Sequence, residues 1–259
     1  MHAKSPSLDA VRARIDAVDA ALLRLVDERA ALAREVADAK RAAGEAGGLG
    51  LRPAREAALI RGLLAAPGRS ASPQLTVRLW REFISDSLIQ QGPFHLAVWG
   101  GDDPARAVEL ARLRFGAAPP LARTADAAAA LNEAKSAGGV AVMSLASPSA
   151  WWDRLLDEPA LKVFATLPCL NSLGPRGALA VAAIAVEPTG EDESYWASDA
   201  AGAGPALAAA GLAAREIASA EGSTLYALDG FIEAGDARLA ALPGRRTGLI
   251  GAAPTPFDP

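Results

Sequence analysis

The chain has 259 residues, of which 51% are hydrophobic and 22% charged, and its formal net charge is −4. That length holds about two domains, and an acidic pI near 5.3 excludes a dedicated nucleic-acid binder, whose footprint is strongly basic. One cysteine, Cys169, excludes an intrachain disulfide; no apolar run is long enough to span a membrane, and the opening Met-His-Ala-Lys-Ser-Pro-Ser has no secretory apolar core, so the expectation is a cytoplasmic protein.

From Val11 to Lys40, apolar residues recur at Val11, Ile15, Val18, Leu22, Leu25, Leu32 and Val36, the three- and four-residue steps of an amphipathic helix. No proline or glycine interrupts the run before Gly44. Such a helix is about 50 Å long at 1.5 Å per residue and needs a partner for its apolar stripe. Arg29 and Lys40 lie close to three full turns apart, so they project from one face about 16 Å apart and can close on a small ligand. Arg12 is roughly 25 Å from Arg29 along the axis and reaches the same site only from a second, antiparallel copy. A plainer reading is a solvated face whose cations pair with Asp27, Glu28 and Glu35.

A breaker stretch, Gly44 to Gly50, precedes Arg52-Pro53-Ala54-Arg55-Glu56, which opens a second apolar-periodic run through Leu59, Ile60, Leu63 and Leu64. Pro53 suits a first helical turn, and Glu56 sits near its positive end. Pro67-Gly68 ends the run. A third helix is predicted from about Ser72 to Gln91, with Leu75, Leu79, Phe83 and Ile84 as its buried stripe and with Ser87 and Gln91 sharing a polar face.

The ordered set Arg12, Ile15-Asp16, Asp19, Leu22-Leu23, Leu25, Glu28-Arg29, Ala39-Lys40, Arg52-Pro53, Arg55-Glu56, Asp86-Ser87 and Gln91 resembles the all-helical AroQ-type chorismate mutases. It resembles in particular the mutase domain fused ahead of prephenate dehydratase in bifunctional P-proteins, over about residues 5–92. The resemblance implies an interlocked three-helix homodimer joined through its N-terminal helices, acting on chorismate. It implies that Arg12 of one copy and Arg29 of the other grip the substrate carboxylates, with Arg52 and Arg55 as further binding residues. A planar guanidinium fork suits that task. It implies that Lys40 and Gln91 donate to the breaking ether oxygen, that Glu56 holds the ring hydroxyl and that Ser87 is a secondary contact. The reaction is a pericyclic rearrangement, which needs orientation and electrostatic stabilisation but no metal, cofactor, thiol or histidine. Arg52 stands where some family members carry aspartate.

Gly92-Pro93 ends the helical part. Beyond it a multi-domain architecture is expected, with an α/β region over 94–259 and a sub-boundary near 175. Phe94–Trp99 reads as a strand, followed by a Gly100-Gly101-Asp102-Asp103-Pro104 loop, a helix to about Arg114, a helix over Ala125–Ser136 and a strand over Gly139–Ser144. The glycine pair reads as a turn, because Asp102 and Asp103 repel an anion there. This region resembles a degenerate prephenate dehydratase lobe, without the Thr-Arg-Phe motif that accompanies that activity. From Gly177 the expected order is a strand over Ala178–Val186, a turn to Asp192, a helix over Pro205–Gly211, strands over Ala214–Ser219 and Thr224–Leu228, and a helix over Ala234–Ala241. That order resembles an ACT-type ligand-sensing domain lacking its Glu-Ser-Arg-Pro motif. Trp151, Trp152 and Trp196 are expected in the core or at an interface.

The mutase reading implies no dehydratase activity and a region near Gln91 where truncation leaves an active dimer, provided the extension covers no helical apolar surface. Two other readings remain at this point: an isochorismate-pyruvate lyase-like enzyme on the same fold, and a non-catalytic subunit that binds aromatic amino acids or a partner enzyme.

Overall fold

The computed structural model describes residues 7–44 and 50–258. The first six residues and most of the Gly44–Gly50 breaker lie outside that range. Two compact units result, Met1–Ala46 and Gly47–Pro259.

Among its described residues, the first unit has one helix, α1 (Leu8–Ala42). Ser7 caps it by accepting from the Ala10 amide at 3.3 Å, while Asp9 in the first turn and Lys40 and Arg41 in the last oppose the helix dipole. The expected helix is present, and its large apolar side chains are exposed: Ile15, Val18, Leu22, Leu25 and Leu32 each keep more than half of their surface accessible.

The second unit opens with α2 (Pro53–Leu64) and α3 (Pro73–Gln91), each with a proline at its first position. Ser72 caps α3 through the Leu75 amide at 3.2 Å. The stripe expected to be buried on α3 is corrected here. Leu75 and Leu79 are exposed, Phe83 and Ile84 are half-buried with Ile84 packed against the core, and the buried positions are Thr76, Val77, Arg81, Ser85 and Leu88. The cause is the α/β region: Leu51 and Leu88 share a core cluster with Phe94, Leu110 and Phe115, so the extension covers the other face of the helical pair. Arg61 of α2 donates to the carbonyls of Thr189 and Glu191 at 2.6 and 2.8 Å, a further tie to the extension.

The α/β part adds β1 (His95–Trp99), α4 (Pro104–Phe115), β2 (Leu121–Arg123), α5 (Ala127–Glu133), β3 (Gly139–Ser144), α6 (Arg154–Asp157), β4 (Lys162–Leu167) and β5 (Ala178–Ala182). It ends with β6 (Asp192–Ser198), α7 (Ala203–Ala209), β7 (Ala214–Ala220), β8 (Ser223–Asp229) and β9 (Thr247–Pro254). Among the described residues, nine strands join one mixed sheet, ordered β2-β1-β3-β5-β4-β9-β6-β8-β7. β1 is parallel to β2 and β3, as a βαβ pattern requires, and β5 returns antiparallel to β3. The last four strands, in the order β9-β6-β8-β7, are mutually antiparallel. With α7 between β6 and β7 they trace a ferredoxin-like path in which a 3₁₀ turn at Ala237–Leu239 replaces the second helix.

That turn corrects the helix expected over Ala234–Ala241, where Gly235 and Asp236 interrupt the run. The strand expected to reach Val186 stops at Ala182, because its partner β4 begins at Lys162, opposite Ala182. The sheet runs on past residue 175 and closes between β4 and β9, where Val163 faces Gly251. Gly251 has φ +151°, and a Cβ there would lie 2.2 Å from the Val163 carbonyl oxygen, so only glycine admits this contact. Gly101 (φ +52°) abuts the Ala146 carbonyl in the same way, which makes the Gly-Gly loop a packing turn as expected. The tryptophans are core residues: Trp151 and Trp152 pack edge to face at 5.7 Å, and their indoles donate to the Ser144 carbonyl and the Ser223 hydroxyl, both at 2.9 Å.

Candidate active site

In the first unit, α1 carries three of the expected residues. Arg29 and Lys40 are half-buried. Their separation of close to three turns sets both on one side of the helix. Arg12 is exposed and sits 3.6 Å from Asp9, a surface pair that holds it weakly.

In the second unit, Arg52 precedes α2 and its carbonyl accepts from the Glu56 amide at 2.9 Å. Arg52 and Arg55 are exposed, whereas Glu56 is buried. The environment of Glu56 departs from a carboxylate open to a substrate hydroxyl. Its Oε2 accepts from Arg81 Nη1 of α3 at 2.8 Å and from Arg114 Nη2 of α4 at 2.7 Å. Both arginine side chains are about 5% exposed. One carboxylate between two guanidinium groups leaves a buried net charge of +1. Burial, and then the like charge of Arg81, lower the Arg114 pKa, while Glu56 opposes both. The guanidinium of Arg114 also lies 4.8 Å over the Phe115 ring. Beside the two arginines is a cavity of about 20 Å³ lined also by Thr166, Cys169 and Thr255, enough for one water.

On α3, Ser87 and Gln91 are half-buried and share a face, as their spacing predicts. Ser87 Oγ donates to the Phe83 carbonyl at 2.8 Å, and Gln91 Nε2 donates to the Ser87 carbonyl at 3.0 Å. These bonds hold each polar group against its own helix.

Arg81 and Arg114 were not anticipated. Arg81 had a signal, since it stands at i+4 from Val77 and i−4 from Ser85, a cation in the middle of a buried stripe. Arg114 had none, because it lies beyond the helical part and meets Glu56 only through the packing of α4 on α3.

Residues 11–92 match the family chorismate mutase type II. The matched region is about a third of the chain. No curated protein matches the chain. A solved structure titled "GqqA- a novel type of quorum quenching acylases" is similar at 13% identity, over 62% of this chain and 95% of its own, with a TM-score of 0.39. A prephenate dehydratase from Streptococcus mutans is similar at 13% identity, over 63% of this chain and 100% of its own, with a TM-score of 0.34. Among the described residues, no helix is long and apolar enough to cross a membrane.

Proposed function

We propose that this protein is a chorismate mutase of aromatic amino acid biosynthesis, rearranging chorismate to prephenate in sites shared by two copies of the chain. The observation that carries the reading is the family match over the same helices that present Arg29 and Lys40 from one side of α1. The reaction proceeds through a chair-like conformer in which the C–O bond breaks as the C–C bond forms, with no proton transfer. Arg29, Arg12 of the second copy, Arg52 and Arg55 bind the two carboxylates and select that conformer. Lys40 and Gln91 donate to the ether oxygen as it gains negative charge, which favours the transition state over the ground state. Glu56 receives the ring hydroxyl on Oε1, since both arginine bonds fall on Oε2, and Ser87 is an ancillary donor.

The exposed stripe supports a dimer. Eight large apolar side chains of α1, from Leu8 to Val36, are 47–64% exposed, and Leu75 and Leu79 of α3 are also open. Contiguous apolar surface on this scale calls for a covering partner, and the separation of Arg12 from Arg29 makes a second copy the economical one. The lone cysteine supports a reducing compartment, the cytoplasm. The absence of a Thr-Arg-Phe sequence supports a chain without dehydratase activity. The test is direct: purified protein with chorismate, following chorismate loss and identifying prephenate. Chorismate that remains unchanged, or that yields pyruvate, overturns the reading; phenylpyruvate formed enzymatically from prephenate at neutral pH overturns its second half.

A further inference from the structure

A second chemically equipped cavity lies wholly in the α/β part, and none of the residues assigned to the chorismate site lines it. It is a cleft of about 750 Å³, within the size range of small-molecule sites. Leu145 after β3 and Ile217 on β7 give it apolar walls, and Arg176, Glu193, Arg215 and Asn171 give it polar ones.

The charges are arranged rather than scattered. Glu193, 8% exposed by side chain, uses its two oxygens separately: Oε2 accepts from Arg176 Nη2, and Oε1 accepts from Arg215 Nη2 at 2.9 Å. One carboxylate thus orients two guanidinium groups, and the group of three keeps a charge of +1. Arg176 is further fixed with its guanidinium 5.8 Å over the Tyr195 ring, and Tyr195 is itself anchored by a hydrogen bond to Thr166. Arg176 Nη1 is buried and has no acceptor among the described residues, a costly condition, while the side chain as a whole, 13% exposed, lines the cleft. Arg215 differs: its side chain is 60% exposed, so its remaining N–H groups are open to an incoming ligand.

We infer that this cleft binds a small organic carboxylate with an apolar body, its carboxylate held by Arg215 and Arg176 and its body against Leu145 and Ile217. Glu193 acts as the positioning residue. Preorganised guanidinium donors bind a carboxylate in forked geometry, and the uncompensated charge favours an anion over a neutral isostere of the same shape. The inference is independent of the mutase reading, since none of these residues belongs to the helical segment.

The experiment uses the full chain and two matched probes, cyclohexanecarboxylate and its neutral amide, observed by saturation-transfer NMR at pH 7. The carboxylate is expected to bind at least tenfold more tightly than the amide. Arg215→Gln, on a half-exposed side chain, is expected to weaken carboxylate binding at least tenfold without changing the thermal unfolding midpoint, and Arg215→Lys to restore part of it. Equal binding of acid and amide, binding of neither, or carboxylate binding unaffected by Arg215→Gln overturns the proposal.

Discussion

Helix α1 and the nine-stranded sheet solve the problem of apolar surface in opposite ways. Every residue of β3, β5 and β6 is buried, and large side chains in and against the sheet, Trp151, Trp152, Tyr195 and Phe164, are covered by residues of the same chain. Along α1 only the small residues Ala33 and Ala37 are buried, while leucines and valines stand in solvent. The sheet region therefore covers its own apolar surface, whereas α1 leaves its apolar stripe open. Helices α2 and α3 belong to both regimes: one side is sealed by the α/β part and the other keeps Leu59, Leu75 and Leu79 exposed. The α2 and α3 part of the matched segment is thus packed into the α/β structure rather than standing apart from it.

The sharpest break of that comparison is truncation after Gln91. The expected separable domain depended on the extension leaving the helices bare, and it does not: removal exposes Leu51 and Leu88 and leaves Glu56 without Arg114. The truncated chain is expected to lack a cooperative unfolding transition by circular dichroism. A cooperative transition with mutase activity would show that the two parts are independent after all.

Next in size is the buried ion cluster. Glu56→Gln leaves Arg81 and Arg114 side by side without a carboxylate and should cost about 3–5 kcal/mol in urea unfolding. Replacing all three by apolar residues (Glu56→Leu, Arg81→Met, Arg114→Leu) should recover much of that loss. A triple variant no more stable than the single one would mean that the cluster contributes more than mutual neutralisation.

On α1 the same kind of charge should act on rate rather than stability. Lys40→Ala should lower turnover at least about a hundredfold, the scale of a lost preorganised donor, with an unfolding midpoint close to that of the parent. A change in midpoint without a change in turnover would assign Lys40 to packing. For the shared site, mixing Arg12→Ala and Arg29→Ala chains should restore activity, because one pocket of the mixed dimer carries neither substitution. No recovery, with subunit exchange verified, would remove the second copy from the mechanism.

The smallest effect expected is in pH dependence. A neutral amide donor does not titrate, so activity should be nearly flat from about pH 5 to 9. With Gln91→Glu the profile should fall as pH rises, since only the protonated carboxyl donates to the ether oxygen. A flat profile in the variant would place residue 91 outside the site.

Local pattern sufficed for much of this molecule. The 3.6-residue period and its caps define α1, α2 and α3, the apolar run over 139–144 defines β3, and the step from Arg29 to Lys40 is set by helix geometry alone. Strand β6 was illegible because it opens on the polar run Asp192-Glu193-Ser194, directly after the residues that read as a turn. It is buried as a strand only because Arg176, Arg215 and the Gly230 carbonyl satisfy Glu193 and Ser194 from elsewhere in the chain. Glu56 was visible as a helix N-terminal carboxylate, yet its partner Arg114 lies 58 residues later, and no period links the two. Which face of α3 is buried was likewise decided by α4 and the sheet, since a helix with two apolar faces carries no internal sign of which one its own chain will cover. Short-range spacing determined the helices and the order of their cations; the pairing of charges, the closure of β4 on β9 and the cleft around Glu193 were decided by contacts between residues far apart in sequence.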